Sequence, residues 1–147
     1  MKRGKDYIGV GVGAFIFNNE GRIFITKRGR GAQNELGKWQ IPGGAVEFNE
    51  TCEDAAKRET LEENGMEIEV IELLHVSNHI WPDQGHHWVT PSYICRHLKG
   101  EPQILETDKC EAIGWFTFEE AEQLDLSRPT RHDLEAIKKK YPNGYTS

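Results

Sequence analysis

Three glutamates lie close together in the segment R-E-T-L-E-E, at positions 59, 62 and 63. Spacings of three and four residues place side chains on one face of an α-helix. Carboxylates that converge in this way repel one another and raise each other's pKa unless a cation lies between them. Mg²⁺ prefers oxygen ligands, keeps several waters and shares its coordination sphere with substrate phosphates. The spacing therefore predicts a divalent-metal site that takes a phosphorylated substrate.

The helix that must carry these carboxylates is predicted to lie between Thr51 and Gly65. Thr51 followed three residues later by an acid resembles a capping box, and glycine is typical of the position just after a helix. At 100° per residue, Glu59 and Glu63 share one face with small residues, and Glu62 lies at its margin. The small residues are Cys52, Ala55 and Ala56, and the opposite face carries Asp54, Lys57 and Leu61. A solvated acidic face is the alternative, but the opposite face is already polar, so we expect the acidic face to point inward.

Strand and helix patterns alternate irregularly along the rest of the chain. Strands are predicted at 7–17, 22–28, 38–41, 67–80, 87–96 and 111–116, and two further helices at 119–124 and 131–141. Glycines at 9, 11 and 13 leave one face of the first strand bare, so another backbone or a ligand can approach closely. A break is predicted near Glu72, and Pro91 predicts an edge or a bulge. This order of elements predicts an α/β (α+β) fold built on a mixed β-sheet.

The length and charge of the chain limit the classes of protein to which it can belong. A chain of 147 residues suits one domain, spanning positions 1–147. A net charge of −6 and a pI near 5.5 argue against binding of nucleic acid, which needs a basic surface. No apolar stretch is long enough to span a membrane, no signal peptide opens the chain, and the three cysteines show no paired spacing. We therefore expect a cytoplasmic protein with no membrane partner.

The segment from Gly44 to Met66 resembles the Nudix box, the signature of a family of hydrolases. The family pattern is G, five residues, E, seven residues, then R-E-U-x-E-E-x-G-U, where U is a bulky aliphatic residue. The matching positions are Gly44, Glu50, Arg58, Glu59, Glu62, Glu63, Gly65 and Met66. Thr60 departs from the pattern at the first U position, where we expect altered packing and unchanged chemistry. The resemblance implies a Nudix-type α/β/α sandwich around a mixed sheet and Mg²⁺-dependent hydrolysis of a nucleoside diphosphate linked to another group.

The resemblance also implies which residues bind metal and which act in catalysis. The metal ligands would be the carbonyl of Gly43 and the carboxylates of Glu59, Glu62 and Glu63, with Mg²⁺ as the ion and Mn²⁺ as its alternative. Glu59 or Glu63 is the first choice of catalytic base. The second choice is an acid from the segment around the start of the last strand: Glu106, Asp108 or Glu111.

Other residues have implied roles in structure and in substrate binding. Glu50 and Arg58 would form a structural ion pair that orients the loop and the helix. Arg28, at the end of the second strand, would contact substrate phosphate, and an exposed strand-end charge is the alternative reading. The segments PGGAVEFNE, HHWVT and DKCEAIGW are similar to the MutT-related branch of the family, which hydrolyses nucleoside triphosphates. By that similarity Thr90 would lie near the base or sugar.

This similarity implies a small-molecule nucleotide as the binding partner. The implied reaction converts a nucleoside triphosphate, with a purine or modified purine base, to the monophosphate and pyrophosphate. Ala45 replaces a histidine that is frequent in that branch, which leaves the base preference open. Phe48, Trp81 and Trp88 could stack on a ring, with packing in the protein as the alternative. The oligomeric state is open between monomer and homodimer.

Three alternatives compete with a triphosphate hydrolase. An ADP-ribose pyrophosphatase is one, because some enzymes of that type carry a proline about 16 residues after the box, and Pro82 lies 16 residues after Met66. A turn explains that proline equally well. A non-catalytic Nudix domain that only binds nucleotide is the second, although the intact glutamates argue against it. A zinc site is the third, with His75, His79, His86 and His87 as its ligands.

Overall fold

The structure, a computed structural model, describes residues 1–31 and 35–145. The strands are β1 (Gly9–Phe17), β2 (Ile23–Arg28), β3 (Trp39–Gln40), β4 (Gly43–Ala45), β5 (Glu67–Trp81), β6 (His86–Lys99) and β7 (Cys110–Phe116). The helices are α1 (Cys52–Asn64), α2 (Phe118–Glu122) and α3 (Arg128–Lys140), and a short 3₁₀ turn (Pro82–Gln84) joins β5 to β6. None of the helices in the described residues has the length and apolar character needed to cross a membrane.

The strands form one mixed sheet in the order β3-β2-β1-β6-β5, with β4 paired to β1 and β7 paired to β2. β1 and β6 run parallel, and the other pairs are antiparallel. One apolar core, which includes Val12 and Ala56, lies between the sheet and α1. The other core, which includes Phe15 and Ile137, lies between the sheet and the helices α2 and α3. The expected α/β/α sandwich around a mixed sheet is therefore confirmed.

The bare face of β1 is filled by side chains from its parallel neighbour β6. A Cβ atom at Gly9 would lie 2.6 Å from the ring of Trp88, and one at Gly11 would lie 3.1 Å from Thr90 Oγ1. At Gly13 the corresponding distance to Ser92 Oγ is 3.0 Å. These separations are below ordinary van der Waals contact, so larger residues in β1 would push β6 away.

β5 and β6 differ from the predicted strands in two respects. The predicted break near Glu72 is wrong, because β5 continues from Glu67 to Trp81 and only its register to β6 shifts on either side of this residue. β6 is an interior strand, so Pro91 does not mark an edge. The ladder between β1 and β6 is interrupted between Val89 and Ser92, and this gap accommodates a residue that has no N–H.

β4 was not predicted and pairs with the central part of β1.

The first helix begins and ends at the predicted residues. Thr51 Oγ1 accepts a hydrogen bond from the backbone N–H of Asp54 at 3.0 Å, and Gly65 takes the left-handed conformation with φ of 70°. Thr60 is fully buried, and its hydroxyl donates to the carbonyl of Ala56 at 2.8 Å. This bond satisfies the one polar atom that the threonine brings to the core. Leu61 is 51% exposed, so the face opposite the glutamates is the solvent-exposed one, as the sequence predicted.

Candidate active site

Two adjoining cavities lie on either side of the segment Gly43–Ala45. We name the larger one, of about 910 Å³, the acidic cavity, because its wall contains Glu59, Glu62, Glu63 and Glu106. The smaller one, of about 330 Å³, is the α3 cavity, and it lies between strands β1, β5 and β6 and helix α3. The two share wall residues, among them Arg28, Gln40, Gly43 and Gly44. A ligand can therefore extend from one cavity into the other.

Arg58 uses all five of its N–H groups, three to hold the segment before α1 and two to contact glutamates of α1 itself. Its Nε and Nη2 donate to the two oxygens of Glu50 at 2.7 and 2.9 Å, and Nη2 also donates to the carbonyl of Ala45 at 3.0 Å. Its Nη1 donates to Glu59 at 3.1 Å and to Glu62 at 3.2 Å. The hydrogen bonds from Arg58 lower the pKa of Glu50 to about 2. The geometry of this pair is that of a rigid structural link, in line with the role that the resemblance implied.

Glu59 lies directly over the backbone of β4. A Cβ atom at Gly44 would lie 2.3 to 2.6 Å from the carboxyl atoms of Glu59, so only glycine at this position leaves room for the carboxylate. Glu63, one helical turn later, is hydrogen-bonded to Glu59, and burial followed by this contact raises the pKa of Glu63. Two carboxyl groups held this closely need a shared proton or a cation between them.

The predicted metal ligands line the same cavity, but their oxygen atoms are not grouped around a single position where an ion could bind. Gly43, Glu59, Glu62 and Glu63 all contribute to its wall. In the described part of the chain no three acidic, histidine or cysteine side chains form a compact cation-binding group. Arg58 Nη1 contacts both Glu59 and Glu62, which places a positive charge between two of the carboxylates. The donor set consists of hard oxygen atoms beside a glycine backbone, and it fits a divalent cation such as Mg²⁺.

Of the three acids near the last strand, Glu106 is the one that reaches the acidic cavity. Two hydrogen bonds attach its loop to the end of α1: Gln103 N–H donates to the carbonyl of Asn64 at 2.9 Å, and Leu105 N–H donates to that of Glu63 at 3.1 Å. The charge of Glu106 contributes to raising the pKa of Glu63, so the two groups are close. The other two acids, Asp108 and Glu111, are not among the described residues that line this cavity.

Arg28, the residue for which the resemblance implied a phosphate contact, lies where the two cavities meet. It lines both of them, and its Nη1 donates to Gln40 Oε1 at 2.6 Å. Burial lowers its pKa, while Glu35 and Glu63 act in the opposite direction. The alternative of an exposed strand-end charge is therefore wrong, since the guanidinium is half-buried between carboxylates.

The predicted contacts to the base or sugar divide into two groups. Thr90, Trp81 and Trp88 line the α3 cavity, and the indole of Trp88 lies against Gly4 and Gly9. Trp81 carries the guanidinium of Arg128 at 3.7 Å from its ring centroid. Phe48 is 94% exposed, so it neither packs in the core nor faces a cavity in the described structure.

The four histidines of the zinc alternative do not converge on one point. In the register of β5 with β6, His79 pairs with Trp88 and His87 pairs with Ile80. Because neighbouring residues of a strand point to opposite faces, His79 and His87 lie on different sides of the sheet. His75 Nε2 lies 2.5 Å from Asp133 Oδ1, so its ring already has a carboxylate partner.

Two polar residues line the α3 cavity in a way that the sequence did not predict: Asp133 was not singled out at all, and His79 was considered only as a zinc ligand. Asp133 is buried on α3 and His79 lies on the facing strand β5, and both line the cavity. A signal for Asp133 was present, because it shares a helix face with Thr130, Leu134 and Ile137. A charged residue on the buried face of an amphipathic helix indicates a specific partner or a site.

An α/β/α sandwich whose first helix presents glutamates to a glycine-rich strand is the arrangement of a nucleotide hydrolase. Residues 8–136 match the NUDIX domain family model, and the chain belongs to the Nudix family. It is a Nudix hydrolase, a pyrophosphohydrolase of the class that acts on nucleoside diphosphate derivatives, and enzymes of this family generally use divalent metal ions.

Three similar proteins carry related descriptions. A solved structure of a MutT NUDIX hydrolase from Burkholderia pseudomallei superposes with a TM-score of 0.81 at 40% identity, covering 90% of this chain and 99% of that one. An RNA pyrophosphohydrolase of Dinoroseobacter shibae is 29% identical over 141 residues, 84% of each chain. A MutT-like protein of Streptomyces ambofaciens is 29% identical over 114 residues, covering 78% of this chain and 67% of the relative.

Proposed function

We propose that this chain hydrolyses purine nucleoside triphosphates, natural or modified, to the monophosphate and pyrophosphate, with Mg²⁺ as its cofactor. The observation that carries the proposal is the junction of the two cavities at Gly43 and Gly44, with Arg28 in both walls. The α3 cavity, of about 330 Å³, has room for a nucleoside, and the acidic cavity beside it holds the carboxylates. The MutT descriptions of two similar proteins agree with this substrate class.

The residues of the acidic cavity would have three different roles in the reaction: metal binding, proton acceptance and phosphate binding. A divalent cation bound there would neutralise phosphate oxygens and activate a water molecule. The carbonyl of Gly43 and the carboxylates of Glu59, Glu62 and Glu63 would hold it. A carboxylate, Glu59 or Glu63 first and Glu106 second, accepts the proton of the attacking water. Arg28 binds the phosphate chain where it passes between the cavities.

A substrate comparison at one Mg²⁺ concentration tests this proposal. We expect dGTP and a modified dGTP to be cleaved to monophosphate and pyrophosphate, with CTP and ADP-ribose as poorer substrates in kcat/KM. Products are identified by chromatography. Cleavage of ADP-ribose at least about tenfold more efficiently than every triphosphate would instead make the enzyme an ADP-ribose pyrophosphatase. No turnover of any of these substrates would favour a nucleotide-binding domain without catalysis.

One observation favours a second candidate, the removal of pyrophosphate from the 5′ end of RNA. Lys2, Arg3 and Lys5 line the acidic cavity, and such basic side chains could contact the backbone phosphates of an RNA chain. The relative from Dinoroseobacter shibae is described as an RNA pyrophosphohydrolase. A 5′-triphosphorylated oligonucleotide in the same assay separates the candidates. A kcat/KM above that of dGTP, lost on Lys2→Ala and Lys5→Ala replacement, would favour the RNA substrate and overturn the expectation of no nucleic-acid partner.

A further inference from the structure

The floor of the α3 cavity carries a carboxylate that the proposed hydrolysis does not use. Asp133 lies on α3, its side chain is only 6% exposed, and it is the only carboxylic acid among the fully buried residues of the described chain. An isolated buried carboxylate is unfavourable unless hydrogen bonds compensate it. A buried carboxylate in the wall of a cavity is therefore a candidate for a functional role.

Half of the carboxylate has a partner within the protein. Asp133 Oδ1 lies 2.5 Å from His75 Nε2, and Ser77 Oγ lies 3.2 Å from the same nitrogen. This contact fixes the orientation of the carboxylate from the β5 side. Oδ2 has no hydrogen bond to any described residue, and Asp133 is part of the cavity wall. The second oxygen is thus positioned to accept from a ligand.

Two hydroxyl groups at the start of α3 also line this cavity, and each accepts a hydrogen bond from a backbone N–H. Thr130 Oγ1 accepts from the backbone N–H of Ile41 at 3.0 Å, and Ser127 Oγ accepts from that of Thr130 at 3.3 Å. On the opposite wall His79 faces the same space, and burial lowers its pKa, which favours the neutral imidazole. The cavity therefore offers a carboxylate acceptor, with a neutral histidine that can donate or accept across from it.

We propose that Asp133 selects guanine-type bases by accepting hydrogen bonds from the N1–H and 2-amino groups. A carboxylate has acceptors only, and guanine and its C8-modified forms present two adjacent donors on this edge. Adenine presents a bare ring nitrogen, N1, in the same place, so its lone pair would face the carboxylate. Cytosine likewise presents N3 as an acceptor. This inference rests on the proposed function, because it assumes that the base occupies the α3 cavity.

Kinetics with base analogues test the role of Asp133. For the unmodified enzyme we expect kcat/KM to fall from dGTP to dITP, which lacks the 2-amino group, and to be lowest for dATP and N1-methyl-dGTP. The total span should be roughly 10- to 100-fold. In Asp133→Asn the preference for dGTP over dATP should shrink to less than about threefold, because the amide can offer a donor to adenine N1. Glu135→Gln, an exposed change of the same charge on the same helix, should keep the preference.

Nucleotide binding without metal separates this inference from the proposed function. In EDTA, calorimetry should show that the unmodified protein binds GMP more tightly than AMP. The Asp133→Asn variant should bind the two nucleotides with equal affinity. If no triphosphate is hydrolysed, the proposed function fails, and the GMP and AMP affinities still decide the role of Asp133. Equal affinities in the unmodified protein, or an undiminished preference in the variant, would overturn the inference. If the variant does not fold, the analogue series on the unmodified enzyme decides alone: equal rates for dGTP and N1-methyl-dGTP would refute it.

Discussion

At the scale of single residues, the proposed mechanism depends most on the contact between Glu59 and Glu63 in the acidic cavity. Their hydrogen bond places two acids together where burial already raises the pKa of Glu63. The arrangement is unfavourable for the isolated protein and favourable once a cation is present. Stability and activity are therefore expected to respond in opposite directions when one of these charges is removed.

Glu63→Gln tests this opposition. The change keeps the size of the side chain and removes one charge, so kcat should fall on the order of 10² to 10⁴-fold. In EDTA the melting temperature should stay level or rise, because the glutamine amide is neutral and can donate to Glu59 without the proton that the buried acid must take up. Circular dichroism melts and a pyrophosphate-release assay measure both. Glu101→Gln, an exposed acid in the loop after β6, is the control and should change neither. Near-normal turnover of the Glu63 variant would reject its assigned role.

Sequence reasoning predicted that the three glutamates of the helix lie together, and it did not find Asp133, which tertiary packing brings into the neighbouring cavity. The positions of Glu59, Glu62 and Glu63 follow from helical geometry alone, and the structure places all three in one cavity. Asp133 comes from a helix about 70 residues later, and its contact with His75 spans 58 positions. A pairing of this kind depends on how α3 crosses the sheet, which no local pattern encodes.

At the scale of secondary-structure elements, Arg58 joins α1 to the loop before it. Its bonds to Glu50 and to the carbonyl of Ala45 connect the helix, the loop and β4. Both side chains are partly accessible, at 27% for Arg58 and 16% for Glu50, so solvent weakens the pair relative to a buried one. The five-donor geometry nevertheless makes the link directional, and lysine could not reproduce it.

Arg58→Ala should lower both the melting temperature and the activity, and the loss of stability should depend on pH. The pair lowers the pKa of Glu50 from the ordinary 4.5 to about 2. Its stabilising effect is therefore fully present above pH 4.5 and is lost as the pH falls through about 2. The difference in melting temperature between the two proteins should shrink over this interval. A variant that is inactive but fully stable at pH 7 would place Arg58 on the substrate instead.

Strand prediction succeeded where the side-chain pattern is local and failed where pairing is decided at long range. β1 and β2 were predicted within two residues, since both are rich in β-forming residues and bounded by a turn. β4 was missed because Gly-Gly-Ala has no strand propensity, and it exists only through its pairing with β1. Pro91 predicted an edge or a bulge, and the sequence could not decide between them because the gap in the β1 ladder cannot be read from β6 alone.

At the scale of the whole molecule, the chain carries a net charge of −6 and concentrates carboxylates at its site. Binding of a polyanionic substrate to such a protein requires positive charge at the point of contact. Arg28 and the segment at Lys2, Arg3 and Lys5 supply part of it at the walls of the acidic cavity. A divalent cation would supply the rest.

Thermal stability in Mg²⁺ therefore tests the whole arrangement without any turnover. A ligand that binds only the folded form at about 100 times its Kd adds about 2.7 kcal/mol to the free energy of unfolding. For a domain of this size that corresponds to a rise of roughly 5 to 10 °C in melting temperature. Because salt also screens the general negative charge, the comparison needs NaCl at matched ionic strength, where a smaller rise is expected. Glu59→Gln should remove most of the difference between the two salts. If Mg²⁺ and NaCl raise the melting temperature equally, the carboxylates do not form a specific cation site in the free enzyme.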